Sequence, residues 1–178
     1  MLTVSLIDSP YSCAFETANL CQYTQDTTDD FQWTRHSGLT GSSNTGPTGD
    51  HTTGSSSGHY MYIEASSPRQ QGDVARLISP TYRLYRGSQC LLFWAHMYGS
   101  DTGTLRVSVK AGDTTTEIWS LRSGNQGNQW FSVNVSIPVT GSYQVIFEGV
   151  RGSGAYGDIV IDDVSILQEA CPGNTCCF

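Results

Sequence analysis

One stretch limits what this chain can fold into more than any other: Gly157-Asp158-Ile159-Val160-Ile161-Asp162-Asp163-Val164-Ser165-Ile166. It reads as a strand, because β-branched residues dominate it and no proline interrupts it. Its alternation has a fault in the middle. Ile159 and Ile161 share one face of an ideal strand, whereas Val164 and Ile166 share the other, and a period of two cannot place all four in a core. One extra residue at Asp162-Asp163 restores the register, which predicts a β-bulge there. Such a bulge aims a carboxylate inward, where it needs either a metal ion or a network of hydrogen-bond donors.

The same test finds strands at 31–35, 59–65, 115–121 and 143–149. Another, at 73–78, is stopped by Pro80. Residues 89–98 are almost continuously apolar, the mark of a strand buried on both faces. Leu105, Val107 and Val109 alternate with Arg106, Ser108 and Lys110. In 130–137, Phe131, Val133, Val135 and Ile137 face the core and Asn134 faces solvent. Turn residues at 99–103, 123–127 and 140–142 separate these runs. About ten short strands predict an all-β fold, a jelly-roll-like sandwich of two antiparallel sheets. A Greek-key sandwich of another strand order reads alike. At 178 residues the chain suits one domain with a full two-sheet core.

Charge removes one function class. The net charge is −7 and Lys110 is the sole lysine, so there is no basic stripe for nucleic acid. No apolar run is long enough to insert in a bilayer, and the first residues lack the basic region and long apolar core of a signal peptide. Six cysteines stand at 13, 21, 90, 171, 176 and 177, without the C-x-x-C spacing of a zinc site. An even number of them in a lysine-poor, Ser- and Thr-rich β protein predicts an oxidising, extracellular compartment, but their spacing leaves every pairing open. Asn134-Val135-Ser136 is an N-glycosylation sequon on a solvent-facing position.

Candidate sites each carry two readings. Residues 38–58 are Gly, Ser and Thr with almost no apolar side chain. Within them, Gly46-Pro-Thr-Gly-Asp-His-Thr-Thr-Gly54 offers the oxygen ligands that suit Ca²⁺, or it is a plain flexible loop. His51 and His59 could share a metal. His96 follows a buried strand and reads as a hydrogen-bonded structural histidine. Glu148 suits a pairing with an arginine rather than acid–base work. Trp33, Trp94, Trp119 and Trp130 could stack on sugars, but their apolar neighbours place most of them in the core. No His-Glu-x-x-His pair is present, and the Gly-x-Ser-x-Gly spelling at Gly54-Ser-Ser-Ser-Gly58 falls inside the Gly- and Ser-rich loop, not at a strand-to-helix elbow, so an enzyme is not expected.

Taken in order, further motifs accumulate: Cys13-Ala-Phe-Glu16, Cys21, Asp30-Phe-Gln-Trp-Thr-Arg35, the 46–54 segment, Gly58-His-Tyr-Met-Tyr62, Ala75-Arg-Leu-Ile-Ser-Pro80, Cys90-Leu-Leu-Phe-Trp94, His96-Met-Tyr-Gly99, Gly103-Thr-Leu-Arg-Val107, Asn128-Gln-Trp130, Phe147-Glu-Gly-Val-Arg-Gly-Ser-Gly154, Ile161-Asp-Asp-Val164 and Cys171. Together they resemble a MAM domain, the module named for meprin, A-5 protein and receptor tyrosine phosphatase mu. The resemblance implies a MAM domain over 13–171, a lead-in strand or linker at 1–12 and a cysteine-containing tail at 172–178. It implies a jelly-roll sandwich and a non-catalytic extracellular module, secreted or part of an ectodomain. Such a module works in adhesion, through an extracellular protein partner or self-association. It further implies disulfides Cys13–Cys21 and Cys90–Cys171, and a structural Ca²⁺ held by Glu16, Asp50 and Asp163, with Asp162 as the alternative. The sequence departs from the family pattern at Ala14, at Ala95 and at an apparent insertion, Ser55-Ser-Ser57. It also carries two cysteines beyond the usual four, Cys176 and Cys177, at least one of which is expected to bridge to another chain or domain. The competing function is a carbohydrate-binding jelly roll that contacts glycan through calcium or exposed aromatics.

Overall fold

The computed structural model describes residues 11–84 and 87–172. The expectations for residues 1–10 and for Cys176 and Cys177 lie outside the described residues. In chain order the strands are β1 (Ser12–Cys13), β2 (Thr24–Gln25), β3 (Thr34–Ser37), β4 (His59–Ile63), β5 (Val74–Ile78), β6 (Tyr82–Leu84), β7 (Cys90–Met97), β8 (Thr104–Ala111), β9 (Thr114–Arg122), β10 (Phe131–Ser136), β11 (Gly141–Val150) and β12 (Ile159–Leu167). The first sheet runs β10-β7-β12-β4-β3, with β1 also on β12. The second runs β2-β5-β11-β8-β9, with β6 also on β11. Every pairing is antiparallel. The two sheets face each other as a jelly-roll-like sandwich.

Alternation builds the core. Leu105, Val107 and Val109 of β8 and Val145 and Phe147 of β11 are fully buried on the inner face. Opposite them, Phe93 of β7 meets Phe147 edge to face at 5.2 Å and Trp119 at 5.5 Å between ring centroids. These offset geometries suit the aromatic quadrupole. Trp33 sits in the same core and donates its indole N–H to the Ala75 carbonyl at 3.0 Å. The disulfides are Cys13–Cys21 and Cys90–Cys171, the two pairs implied by the family resemblance. The second ties the start of β7 to the chain just beyond β12.

The bulge is present. Asp162 pairs with Trp94 and Ser165 with Leu92, so β12 holds one residue more than β7 between those points. Asp163 takes φ +47°, a left-handed conformation that Asp tolerates better than most residues. In consequence Ile159 and Ile161 before the bulge, and Val164 and Ile166 after it, all reach the same core. The bulge also marks a change of neighbour. Along one edge β12 pairs with β4 up to Ile161, and with β1 from Val164 onward.

The expected strand at 31–35 is displaced. Phe31 and Trp33 are buried, but β3 starts only at Thr34. Carboxylates are the cause: Asp29 accepts the Arg76 N–H at 2.6 Å and Asp30 accepts the Val74 N–H at 2.9 Å. Side chains thereby satisfy β5 donors that a regular strand partner would have taken. The short strands β1, β2 and β6 escape a test based on alternation, because two or three residues have no readable period.

Candidate functional site

The 38–58 loop is an ordered cover on the outer face of the first sheet, not a plain flexible tether. Asp50, only 2% exposed, organises its tip. Its carboxylate accepts the Thr53 N–H at 2.7 Å, the Thr53 hydroxyl at 2.7 Å and the Ser55 N–H at 3.0 Å. Burial acts to raise its pKa, but these donors outweigh burial and hold the carboxyl below its ordinary value. Ser55, part of the apparent insertion, closes this turn by accepting the Asp50 N–H at 3.1 Å. Gly58 is required beside it, since a Cβ there would lie 2.2 Å from Asp50 Cγ.

The next two residues dock on the bulge. The N–H groups of His51 and Thr52 donate to Asp162 Oδ2 at 2.9 and 3.3 Å, and the Asp163 N–H donates to Asp162 Oδ1 at 2.8 Å. Asp163 contacts His51 Nδ1 at 2.5 Å and accepts the Thr52 hydroxyl at 2.8 Å. The His51 ring stacks on Trp94, with centroids 3.8 Å apart and planes 17° apart, and meets Trp130 edge-on. Asp162 is fully buried; burial first, and Asp163 second, push its pKa up to about 8. The inward carboxylate expected at the bulge is therefore Asp162, but it is buried under the loop, outside the sandwich core. The alternation that keeps Ile161 inside turns its successor outward.

Glu16 belongs to a neighbouring contact. Its Oε1 accepts the His59 N–H at 2.7 Å, and Oε2 lies 3.6 Å from His59 Nδ1. Arg35 fixes the segment by donating to the Phe15 and Glu16 carbonyls, each at 2.6 Å. Of the four predicted ligands, Asp162 and Asp163 come together, Glu16 meets His59, and Asp50 serves its own turn. Their all-oxygen chemistry fits Ca²⁺, but their oxygens are engaged by N–H and O–H donors. Among the described residues no three of His, Cys, Asp and Glu gather in a metal-holding geometry. His51 and His59 have separate acidic partners.

Two of the four tryptophans depart from the core assignment. Trp33 and Trp119 belong to the core, but Trp94 and Trp130 lie on the outer face under His51, because their positions on β7 and beside β10 alternate away from Phe93. His96 is buried and its Nε2 meets Asn128 Oδ1 at 3.1 Å; burial lowers its pKa. Asn134 is exposed. Glu148 does pair with arginine, and twice: it accepts Arg76 Nε at 2.7 Å and Arg106 on its other oxygen. The chain of charges extends to Glu117 at 3.0 Å from Arg106 and to Asp26 at 3.5 Å from Arg76. It crosses β5, β11, β8 and β9 on the outer face of the second sheet. Sequence reasoning missed this ladder, which needs the strand order. It also missed Asp158, a fully buried carboxylate that accepts the Ala65 N–H at 3.0 Å.

A family model described as "MAM domain, meprin/A5/mu" matches residues 13–172. MAM domain-containing glycosylphosphatidylinositol anchor protein 1 of Rattus norvegicus is 48% identical over 171 residues, covering 92% of this chain and 18% of its own length. MAM domain-containing protein 2 of Homo sapiens is 41% identical over 164 residues, covering 91% of this chain and 23% of its own. The chain thus spans about a fifth of the length of the curated relatives it matches. Among solved structures, the K1 cleaved adhesin domain of Lys-gingipain from Porphyromonas gingivalis W83 superposes with TM-score 0.60 at 16% identity, covering 88% of this chain and 96% of its own. TmCBM61, solved with β-1,4-galactotriose, gives TM-score 0.51 at 14% identity, covering 82% and 86%. These two likenesses show the shared sandwich fold. Among the described residues no helix is long and apolar enough to cross a membrane. Two disulfides and relatives named for a glycosylphosphatidylinositol anchor make this an extracellular domain. With the bulged acidic strand, both disulfides and a family match across nearly its whole length, the chain belongs to the MAM domain family.

Proposed function

We propose that this chain is a non-catalytic adhesion and protein-interaction module that works on an extracellular protein partner or on a second copy of itself. The supporting observation is the outer face of the second sheet. It carries the Asp26–Arg76–Glu148–Arg106–Glu117 ladder, in which the Arg76, Arg106 and Glu117 side chains stay 33%, 36% and 42% exposed. Fixed charges of both signs on a flat sheet set orientation and register for a complementary protein face. The only exposed large hydrophobic residues among those described are Leu39 and Tyr156, so no aromatic row for sugar stacking lies on that sheet. The test is aggregation of beads coated with the disulfide-intact domain, alone and with cells. Arg76→Glu with Arg106→Glu is expected to abolish adhesion. Adhesion that survives both reversals but yields to free neutral sugar would move the reading to a carbohydrate-binding jelly roll.

Calcium is part of the same proposal. Glu16, Asp50 and Asp163, with Asp162 as the alternative, would exchange some N–H donors for the ion, and backbone carbonyls would complete its shell. The ion would tie the first strand, the long loop and the last strand together. Binding only the folded state stabilises it by about 2.7 kcal/mol at a hundred times the dissociation constant. The expected outcome is a higher unfolding midpoint with Ca²⁺ than with chelator, and no such difference for Asp50→Ala. A wild-type midpoint indifferent to chelator would leave Asp162-Asp163 as a hydrogen-bonded bulge alone. Asn134, exposed within its sequon, is the proposed site of an N-linked glycan.

A further inference from the structure

A cavity of about 300 Å³ opens at one end of the sandwich, between the 38–58 loop and the loops that follow β7, β9 and β11. Asn44, Tyr98, Gly99, Ser100, Asn125 and Tyr156 line it. Its size lies at the small end of the range for ligand sites.

The walls are preorganised. The Tyr156 N–H donates to Asp101 Oδ2 at 3.1 Å, and the Tyr156 carbonyl accepts the Asp101 N–H at 3.0 Å. Gly99 closes against that same carbonyl: with φ +134°, a Cβ there would lie 2.0 Å from the Tyr156 oxygen. This rigid backbone presents the Tyr156 ring 48% exposed at the cavity mouth. The Asn125 amide is oriented too, because its Oδ1 accepts the Gly127 N–H at 2.9 Å. Its Nδ2 is then left as a donor. Asn44, at φ +60°, makes no side-chain hydrogen bond among the described residues. The cavity thus combines two tyrosines, two amides and one hydroxyl, and no charged side chain lines it.

We infer that this cavity is a binding site for one ring of a neutral glycan. The C–H face of a pyranose covers an aromatic ring, and its hydroxyls exchange hydrogen bonds with amide and phenol groups, which both donate and accept. An anionic ligand would find no cation in the lining. The site lies on the loops and is independent of the charged sheet face proposed for protein contact.

The test is a titration of the isotope-labelled, disulfide-intact chain, followed by amide NMR shifts. The probes are methyl β-D-galactopyranoside, methyl β-D-glucopyranoside and methyl α-D-mannopyranoside, with 3′-sialyllactose as the anionic comparator. At least one neutral glycoside is expected to shift the amides of Tyr98, Gly99, Asn125 and Tyr156, with a dissociation constant on the order of millimolar. Tyr156→Ala is expected to weaken it about tenfold, the scale of one lost aromatic contact. Asn44→Gly, which suits the positive φ, is a second variant that keeps the fold and is expected to weaken binding. Arg106→Glu leaves binding unchanged, so this test and that of the adhesive face fail separately. No shift from any neutral probe, shifts confined to other regions, shifts that survive both cavity variants, or a response to 3′-sialyllactose alone would each overturn the inference.

Discussion

Asp158 shows how much a single buried residue decides. One carboxylate oxygen holds the Ala65 N–H at 3.0 Å. Burial first, and more weakly Glu64, raise its pKa from the ordinary 3.8 to about 6, against the opposing hydrogen bonds of the Ala65 N–H and the Thr40 hydroxyl and, more weakly, His36. The folded state therefore holds this proton more tightly than the unfolded chain. Its contribution to stability is fully present below about pH 4 and is lost as pH rises through about 6. Replacing Asp158 with Asn keeps an acceptor for Ala65 and removes the charge. The expected result is a gain of about 2 kcal/mol at pH 7.5, and a flatter stability profile between pH 4 and 6. Asp162 carries the same sign over a wider range, from about pH 4 to about 8, so its part of the slope remains. Chemical denaturation of both proteins at pH 5 and 7.5 measures this; an unaltered slope in Asp158→Asn would show that Asp158 does not titrate on folding.

At the scale of elements, the bulge in β12 joins two half-strands that would otherwise present opposite faces. Deleting Asp163 removes the extra residue and turns Val164 and Ile166 out of the core. That deletion is expected to prevent secretion of folded protein. Substitutions there separate backbone from side chain. In calcium-free buffer, Asp163→Asn tolerates φ +47° and loses only the carboxylate contact to His51, a change of about 1 kcal/mol or less. Asp163→Val places a β-branched residue in the same conformation and is expected to cost about 1–3 kcal/mol. Equal midpoints for Asn and Val would mean that the strand relaxes around the bulge and that backbone conformation is not the constraint.

At the scale of the whole molecule, the two disulfides restrain loops of very different length. Cys13–Cys21 closes a separation of 8 residues and Cys90–Cys171 one of 81. On the chain-entropy account the first stabilises by about 2.6 kcal/mol and the second by about 4.5 kcal/mol. The double substitution Cys90→Ala with Cys171→Ala is therefore expected to lower stability more than Cys13→Ala with Cys21→Ala. Equilibrium unfolding of the two variants gives the comparison, and the reverse order would mean that local strain or residual unfolded structure outweighs loop entropy.

Periodicity alone located the long strands and the bulge, because a buried face repeats every second residue and a fault in that repeat is visible in β12. The sandwich followed from the number of strands, and the disulfide pairs from the family pattern carried by the motifs. Which carboxylates meet was decided only by the tertiary structure. Asp50 and Asp163 are 113 positions apart, and their distance depends on how the 38–58 loop folds back, for which a run of Gly, Ser and Thr has no period to read. The same holds for Trp94. Its apolar neighbours point to a core, but its outward ring is partly covered because His51 is delivered onto it by that loop. The charge ladder through Glu148 depends on β5, β11 and β8 lying side by side, although the chain visits them in another order. Side-chain alternation is a local property of extended backbone and survives in one dimension. Contacts between strands and loops depend on closure over long separations, and only the assembled sandwich specifies them.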